Sequence, residues 1–292
     1  MENYTENLTK AATAIEEADY IVVGGAAGMS LAAGKAAPNF YALRDEKYLK
    51  YFGAFEEKYH AGSLWNLYYL DYYGNKQWES PGDCWGFLIS LGHLMLNEPI
   101  YKPYADLKNV LQGKDLGIVT TNQDTQFRRA FPDKDVAIIQ GDWGYLQCSE
   151  RCHDKVYNSE KLIAELYPKI SGCHLPEELI PRCEYCGAEL HEWVRGPEFL
   201  EGTFYRQQYD KYQHFIKKAQ DKKVVYLELG VGRMTPMFIK EPFINLTYEN
   251  PKATYITINP KDAITVPEIQ AQSVVLKEDI AKVLEDLKQV VK

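Results

Sequence analysis

Apolar residues along this chain fall into short continuous runs separated by longer stretches of helical spacing. Residues from about Glu6 to Glu17 place Leu8, Ala11, Ala12 and Ile15 on one helical face and lead into the apolar run Asp19-Tyr-Ile-Val-Val-Gly24. A strand that is apolar at consecutive positions suits a parallel sheet covered on both faces. Runs of the same kind are Leu116-Gly-Ile-Val-Thr-Thr121, Asp135-Val-Ala-Ile-Ile139, Val224-Val-Tyr-Leu-Glu-Leu229 and Thr254-Tyr-Ile-Thr-Ile258, with Ser273-Val-Val-Leu276 as a sixth. Helical stretches, including Gly202 to Lys222 and Glu278 to Val291, separate several of them. The alternation predicts an α/β fold built on a doubly wound, Rossmann-like parallel sheet.

Two stretches break the alternation. Residues from about Phe40 to Gln112 are rich in Tyr and Trp, hold no clear parallel strand and read as mostly helical. Residues from Leu146 to about Arg195 hold paired cysteines, prolines and short strands. Both read as insertions into one nucleotide-binding sheet. The expected division is residues 1–39, 113–145 and 196–292 for the Rossmann-like domain, 40–112 for a helical Tyr-rich insert, and 146–195 for a zinc-binding module.

Composition narrows the function. The 292 residues carry 33 basic and 41 acidic side chains, a formal charge of −8. That balance disfavours sequence-independent nucleic-acid binding, which needs a basic surface to displace counterions. No apolar run approaches the ~20 residues of a spanning helix, and no polybasic membrane patch is present. The polar start MENYTENLTK lacks the order of a signal peptide, so the cytoplasm is the expected compartment. The 22 tyrosines concentrate between Tyr41 and Tyr104 and suit either a cleft lining or a half-buried scaffold face.

Candidate chemistry collects at the ends of the predicted strands, where ligands of open α/β sheets bind. After the first comes Gly24-Gly25-Ala26-Ala27-Gly28-Met29-Ser30, whose small residues would let a pyrophosphate approach the backbone at a helix N-terminus. Tight strand-to-helix turns need glycine as well, so the turn is weak evidence alone. After the second comes Thr120-Thr121-Asn122-Gln123-Asp124, either a ligand-facing segment or the N-cap of the next helix. The third ends Ile138-Ile139-Gln140-Gly141-Asp142. Gln140 can hydrogen-bond a hydroxyl but cannot accept a proton at neutral pH, and no histidine stands within ten residues of it. Later turns are Gly230-Val231-Gly232-Arg233 and Ile258-Asn259-Pro260-Lys261-Asp262. Together these ends point to a dinucleotide.

The six cysteines are too few for a secreted disulfide scaffold. Cys148 and Cys152 form one close pair and Cys183 and Cys186 another, so four thiolates on two knuckles can surround a tetrahedral zinc with no open position. Such a metal would be structural. Cys84 and Cys173 read as small hydrophobes, and His153 as a surface residue of the module rather than a base.

In order, these motifs resemble the sirtuin family of NAD-dependent protein deacylases and ADP-ribosyltransferases. The family's successive elements are matched by Ala26-Ala27-Gly28-Met29-Ser30, Thr121-Asn122-Gln123-Asp124, Gln140-Gly141, the four cysteines, Gly230-Val231-Gly232 and Ile258-Asn259, from about Tyr20 to Leu276. The departures matter most. Gln140 takes the place of the deacylase histidine, Thr121 that of a glutamine, and Ala37-Pro38-Asn39-Phe40-Tyr41 that of a segment carrying a charged pair. This pattern resembles the macrodomain-linked, class M branch, which implies protein ADP-ribosylation with NAD as co-substrate. It further implies a lipoylated glycine-cleavage-H-like carrier as acceptor and a macrodomain hydrolase as a companion.

By the same resemblance Asn122 would orient the nicotinamide ribose, Asp124 hold the nicotinamide carboxamide and Gln140 contact the ribose hydroxyl. Gly25, Ala26, Ala27, Gly28, Ser30, Tyr41, Gly230, Gly232, Arg233, Asn259 and Asp279 would complete the NAD site. The competing readings are an NAD-dependent deacylase with an altered base, a silent NAD-binding sensor and a plain NAD hydrolase.

Overall fold

A computed structural model of the chain describes residues 2–37, 46–70 and 77–291. Among them are nine strands, namely β1 (Tyr20–Gly25), β2 (Leu116–Thr120), β3 (Val136–Ile138), β4 (Gly141–Cys148), β5 (Tyr157–Asn158), β6 (Leu190–Val194), β7 (Val224–Leu229), β8 (Thr254–Ile258) and β9 (Ser273–Leu276). Six of them form one sheet in the order β3-β2-β1-β7-β8-β9, with every neighbouring pair parallel. All six expected runs are strands of this sheet, within a residue or two of the ends read from sequence. All six residues of β1 and of β7 are buried, as a sheet covered on both faces requires.

The chain divides into two compact units, Met1–Gly34 with Ile100–Gly141 and Tyr205–Lys292, and Lys35–Pro99 with Asp142–Phe204. The first unit holds the six-stranded sheet. On one face Tyr20, Val22, Val119 and Tyr226 pack with Tyr212 and Phe215 of helix Thr203–Ala219 and Phe243 of helix Lys240–Glu249. Helix Ile280–Val290 packs against both Glu2–Glu17 and Lys102–Val110.

Helix Lys102–Val110 belongs with the sheet, because its buried Asp106 takes Lys288 at 2.6 Å from the last helix as well as its own Lys102. The second unit runs over Lys35–Pro99 and Asp142–Phe204 and so takes in most of the expected helical insert and all of the expected cysteine-bearing module.

That second unit joins the Tyr-rich helices to the cysteine-bearing segment. Its small sheet has the order β5-β4-β6. Helices Glu46–Tyr59, Leu64–Tyr68 and Pro81–Asn97 bury Tyr48, Phe52, Phe55, Tyr59 and Phe87 in one aromatic core. These tyrosines are scaffold, and their hydroxyls bind buried carboxylates: Tyr48 donates to Glu56 at 2.7 Å and Tyr59 to Asp83 at 2.5 Å.

Asp83 sits in the first turn of helix Pro81–Asn97, whose N-cap Ser80 accepts its N–H. Besides Tyr59, its carboxylate takes Lys58 at 2.6 Å, His174 Nδ1 at 3.0 Å and Ser80 at 3.1 Å. Burial works to raise its pKa, but these donors outweigh burial and hold it down to about 2. The unfolded chain therefore binds a proton at this residue before the folded chain does. The stabilisation is complete above the ordinary carboxylate range and is lost as pH falls through about 2. Denaturant titrations of the wild type and Asp83→Asn should differ by about 2 kcal/mol at neutral pH, narrowing between pH 4 and pH 2. A difference that stays constant down to pH 2 would contradict the assignment.

Candidate active site

Strand order reverses between β1 and β7, and the chain leaves every strand of this parallel sheet at the same edge. Open α/β sheets bind ligands in the crevice at such a switch point. The turn after β1 and the turn after β7 meet there backbone to backbone. Gly28 N–H donates to the Gly230 carbonyl at 3.1 Å, and a Cβ on Gly28 would lie 2.6 Å from Gly230 Cα. Gly230 also has φ +70°, so this pair has to be glycine. Around Gly232 the space is open, with no atom within 4 Å of an added Cβ.

Gly25 has a packing reason of its own to be glycine. It is buried at the end of β1, where a Cβ would strike the Phe127 ring at 2.1 Å. Its missing side chain makes room for packing. Ala26 is buried and Ala27 exposed at the start of helix Ala27–Leu31, and Tyr41 lies outside the described residues, as does the segment from Pro38.

The strongest convergence is at the end of β2. Asn122 is buried, and its Nδ2 lies 3.1 Å from the Ala26 carbonyl, 3.0 Å from Tyr104 Oη and 3.2 Å from Ser30 Oγ. Tyr104 Oη and Ser30 Oγ are 2.6 Å apart, and Ser30 donates to Asp124 Oδ2. The order of donors follows from chemistry. A carboxylate has no hydrogen to give, so the single hydroxyl proton of Ser30 points to Asp124. Tyr104 must then donate to Ser30, and Asn122 to Tyr104. The Ala26 carbonyl also demands a donor, which fixes the amide with its nitrogen inward. Among the described residues, no side chain or backbone group takes the outward Asn122 Oδ1.

Tyr104 is fully buried on helix Lys102–Val110, its ring edge-on to Phe127 at 4.8 Å. Burial, and secondarily the charge of Asp124, holds its pKa well above the ordinary tyrosine value, so it acts as a donor and not as a base. Asp124 also accepts the Gln126 N–H at 3.1 Å, so its carboxylate serves the start of helix Gln126–Ala130 one residue before the N-cap Thr125. Sequence reasoning missed Tyr104, which looked like one more aromatic of the insert.

Gln140 follows β3, is partly exposed, and its backbone carbonyl accepts from Gln123 Nε2 at 3.2 Å. Gln123 thereby ties the end of β2 to the end of β3. Past β8, Asn259 is buried, with Nδ2 on the Val231 carbonyl at 3.2 Å and Oδ1 accepting from Lys261 and Asp262 N–H. Arg233 extends into solvent and pairs with Asp262 at 2.9 Å. Asp279 is exposed and caps the last helix by accepting Lys282 N–H at 3.1 Å.

In the second unit the four cysteines converge. Cys148 Sγ is 3.6 Å from both Cys152 and Cys186 Sγ, and Cys152 is 3.6 Å from Cys183. Four thiolates about 2.3 Å from a central zinc would be separated by about 3.8 Å, so the cluster fits that ion. His153 joins them, with Nε2 3.2 Å from Cys183 Sγ, and the ligand atoms of Cys148, Cys152, His153 and Cys183 all lie within 4.8 Å of one another. Its Nδ1 accepts the Lys155 N–H at 3.0 Å, which leaves the proton on Nε2. With its proton on Nε2, His153 would serve the cluster as a donor to the Cys183 sulfur, and the sequence-predicted set of Cys148, Cys152, Cys183 and Cys186 would be the ligands of a structural zinc. Metal analysis should give about one zinc per chain in the wild type and a large loss in Cys183→Ser; no bound metal in the wild type would remove the site.

Among solved structures, a Sir2 homologue in complex with NAD matches with a TM-score of 0.60 at 16% identity, over 97% of this chain and 93% of that one. A complex of Sir2 with a p53 peptide and NAD+ matches with a TM-score of 0.55 at 13% identity, over 96% and 97% of the two chains. These establish the sirtuin fold. No family model matches the chain. A protein ADP-ribosyltransferase of Staphylococcus aureus is 35% identical over 291 residues, covering 97% of this chain and 88% of its own. The chain belongs to the sirtuin-type protein ADP-ribosyltransferase family.

A Fusarium oxysporum f. sp. cubense protein named "Probable bifunctional ADP-ribose hydrolase/ADP-ribosyltransferase" is 28% identical over 241 residues, 78% of this chain and 38% of that protein. For a member of this family, the buried polar chain behind Asn122 has a kinetic consequence. Tyr104→Phe keeps the ring and removes the hydroxyl that links Asn122 to Ser30. ADP-ribosyl transfer should fall about tenfold in kcat, the equivalent of one lost hydrogen bond of about 1.4 kcal/mol, with KM for NAD little changed. An unchanged kcat in a folded Tyr104→Phe would show that the chain does not set the amide.

Proposed function

We propose that this chain transfers ADP-ribose from NAD to a protein, and that the acceptor is a lipoylated carrier of the glycine-cleavage-H type. One observation carries the reading. The strand-end amide of Asn122 is locked with its oxygen outward, while the neighbouring strand end offers the neutral amide of Gln140 in place of a titrating base.

In this reading Asn122 Oδ1 orients the nicotinamide ribose, Asp124 holds the nicotinamide carboxamide, and Gln140 contacts a ribose hydroxyl. Ala26, Ala27, Gly28, Ser30, Gly230, Gly232, Arg233 and Asn259 face the phosphates and the adenosine end, with Asp279 at their margin. The bond from nicotinamide to C1′ breaks with its electron pair leaving on the pyridine nitrogen. The ribose gains oxocarbenium character, which fixed dipoles stabilise without reorganisation. A nucleophile of the carrier then bonds to C1′ and releases its own proton to solvent water. Gln140 takes no proton in this route, which removes the need for the base that an acyl intermediate would demand. The name of the Fusarium relative, which joins a hydrolase to a transferase, supports an ADP-ribose hydrolase as the opposing activity.

The test incubates labelled NAD with the chain and with lipoylated or bare carrier protein. Label should pass to the lipoylated carrier, and Asn122→Ala should abolish transfer while NAD binding stays measurable. Three results would overturn the reading. Release of O-acyl-ADP-ribose from acyl-lysine peptides would establish a deacylase, nicotinamide release without acceptor a hydrolase, and NAD binding without turnover a sensor.

A further inference from the structure

We propose that Glu228 and Lys240 are positioning residues that set the two loops expected to hold the ADP half of NAD. This rests on the reading of those loops given above. Glu228 interrupts the otherwise apolar strand β7 and is completely buried, and Lys240 is almost so, with Nζ 3.0 Å from Glu228 Oε2. An ion pair this deep is weak evidence for stability, since apolar side chains of similar volume often do as well. Its connections suggest why a charge stands here.

The two carboxylate oxygens have separate tasks. Oε2 receives Lys240, Thr257 Oγ1 at 3.0 Å and Tyr255 Oη, three side-chain donors that fix the group. Oε1 receives one donor, the backbone N–H of Val231 at 3.2 Å, in the middle of the Gly230–Gly232 turn. Lys240 reaches the other way and donates to the Asp262 carbonyl at 2.6 Å, in the loop after β8. Asn259 closes the circuit through the Val231 carbonyl. One buried charge pair thus pulls a backbone N–H from one loop and a backbone carbonyl from the other toward a single point. Gly232 and Arg233 follow directly on the tethered residue, and Asn259 lies between the two anchors.

Glu228→Gln separates this role from bulk stability. The glutamine oxygen stays with the three side-chain donors, which turns its NH2 toward the Val231 N–H, donor against donor. KM for NAD should rise about tenfold or more while kcat at saturating NAD stays within about twofold. Leu287→Ala, in the last helix and away from both loops, supplies a comparable loss of thermal stability and should leave KM unchanged. Should Glu228→Gln not fold, Tyr255→Phe removes one donor from Oε2 and should raise KM about threefold. Calorimetric titration of the wild type with NAD accompanies these assays. Wild type that binds no NAD overturns the reading of the loops and the inference together. NAD binding by the wild type, with KM unchanged in the folded Glu228 or Tyr255 variant, overturns the role of the ion pair alone. A KM rise matched by Leu287→Ala does the same.

Discussion

The Asp124 carboxylate can only accept, and that single fact orders the polar groups behind the end of β2. Ser30 must give it a proton, Tyr104 must give one to Ser30, and Asn122 must give one to Tyr104. A neutral chain of hydroxyls could run in either direction; one that ends on an anion runs in one. Because Tyr104 is fully buried, water cannot take over its place in the series. The outcome is an asparagine whose amide nitrogen is held by the Ala26 carbonyl and the Tyr104 hydroxyl; in the proposed reaction its oxygen would serve as a fixed dipole toward a cationic transition state.

The surrounding sheet makes this arrangement reachable. A parallel sheet gathers the ends of its strands on one edge, so residues far apart in sequence become neighbours without long loops. The contact between Gly28 and Gly230 draws the two halves of the sheet together at the switch point, where any side chain would hold them apart. Glu228 works beneath the same edge, converting a buried charge into fixed loop geometry. In the second unit the buried carboxylate of Asp83 gathers side chains from separate segments through charge-assisted hydrogen bonds.

Much of this was legible in the order of residues alone. Six apolar runs announced six parallel strands, because burial on both faces leaves no room for alternation. The cysteine spacing announced its cluster, since two knuckles bring four sulfurs to one point wherever the intervening chain goes. Asn122, Ser30 and Asp124 stood out because a strand end is where polar groups meet ligands. Tyr104 did not, for its hydroxyl reaches the site through a helix that resembles the Tyr-rich insert in composition and belongs to the sheet by an Asp106–Lys288 contact 182 residues apart in sequence. Glu228 stayed hidden as well: a lone acid in an apolar run gives no sign of its partners, which come from another strand and the following helix. At Gly25 the packing against Phe127 was not legible, since glycine for packing and glycine for a phosphate look alike in sequence.

The central claim is that a fixed Asn122 oxygen and the Gln140 amide address the sugar next to nicotinamide. The structure of the chain with NAD bound tests it most directly. The account predicts the nicotinamide ribose within hydrogen-bond reach, about 3.2 Å or less, of Asn122 Oδ1, with Gln140 beside it. A ribose bound elsewhere, or an Asn122 amide turned with its nitrogen outward, would contradict it.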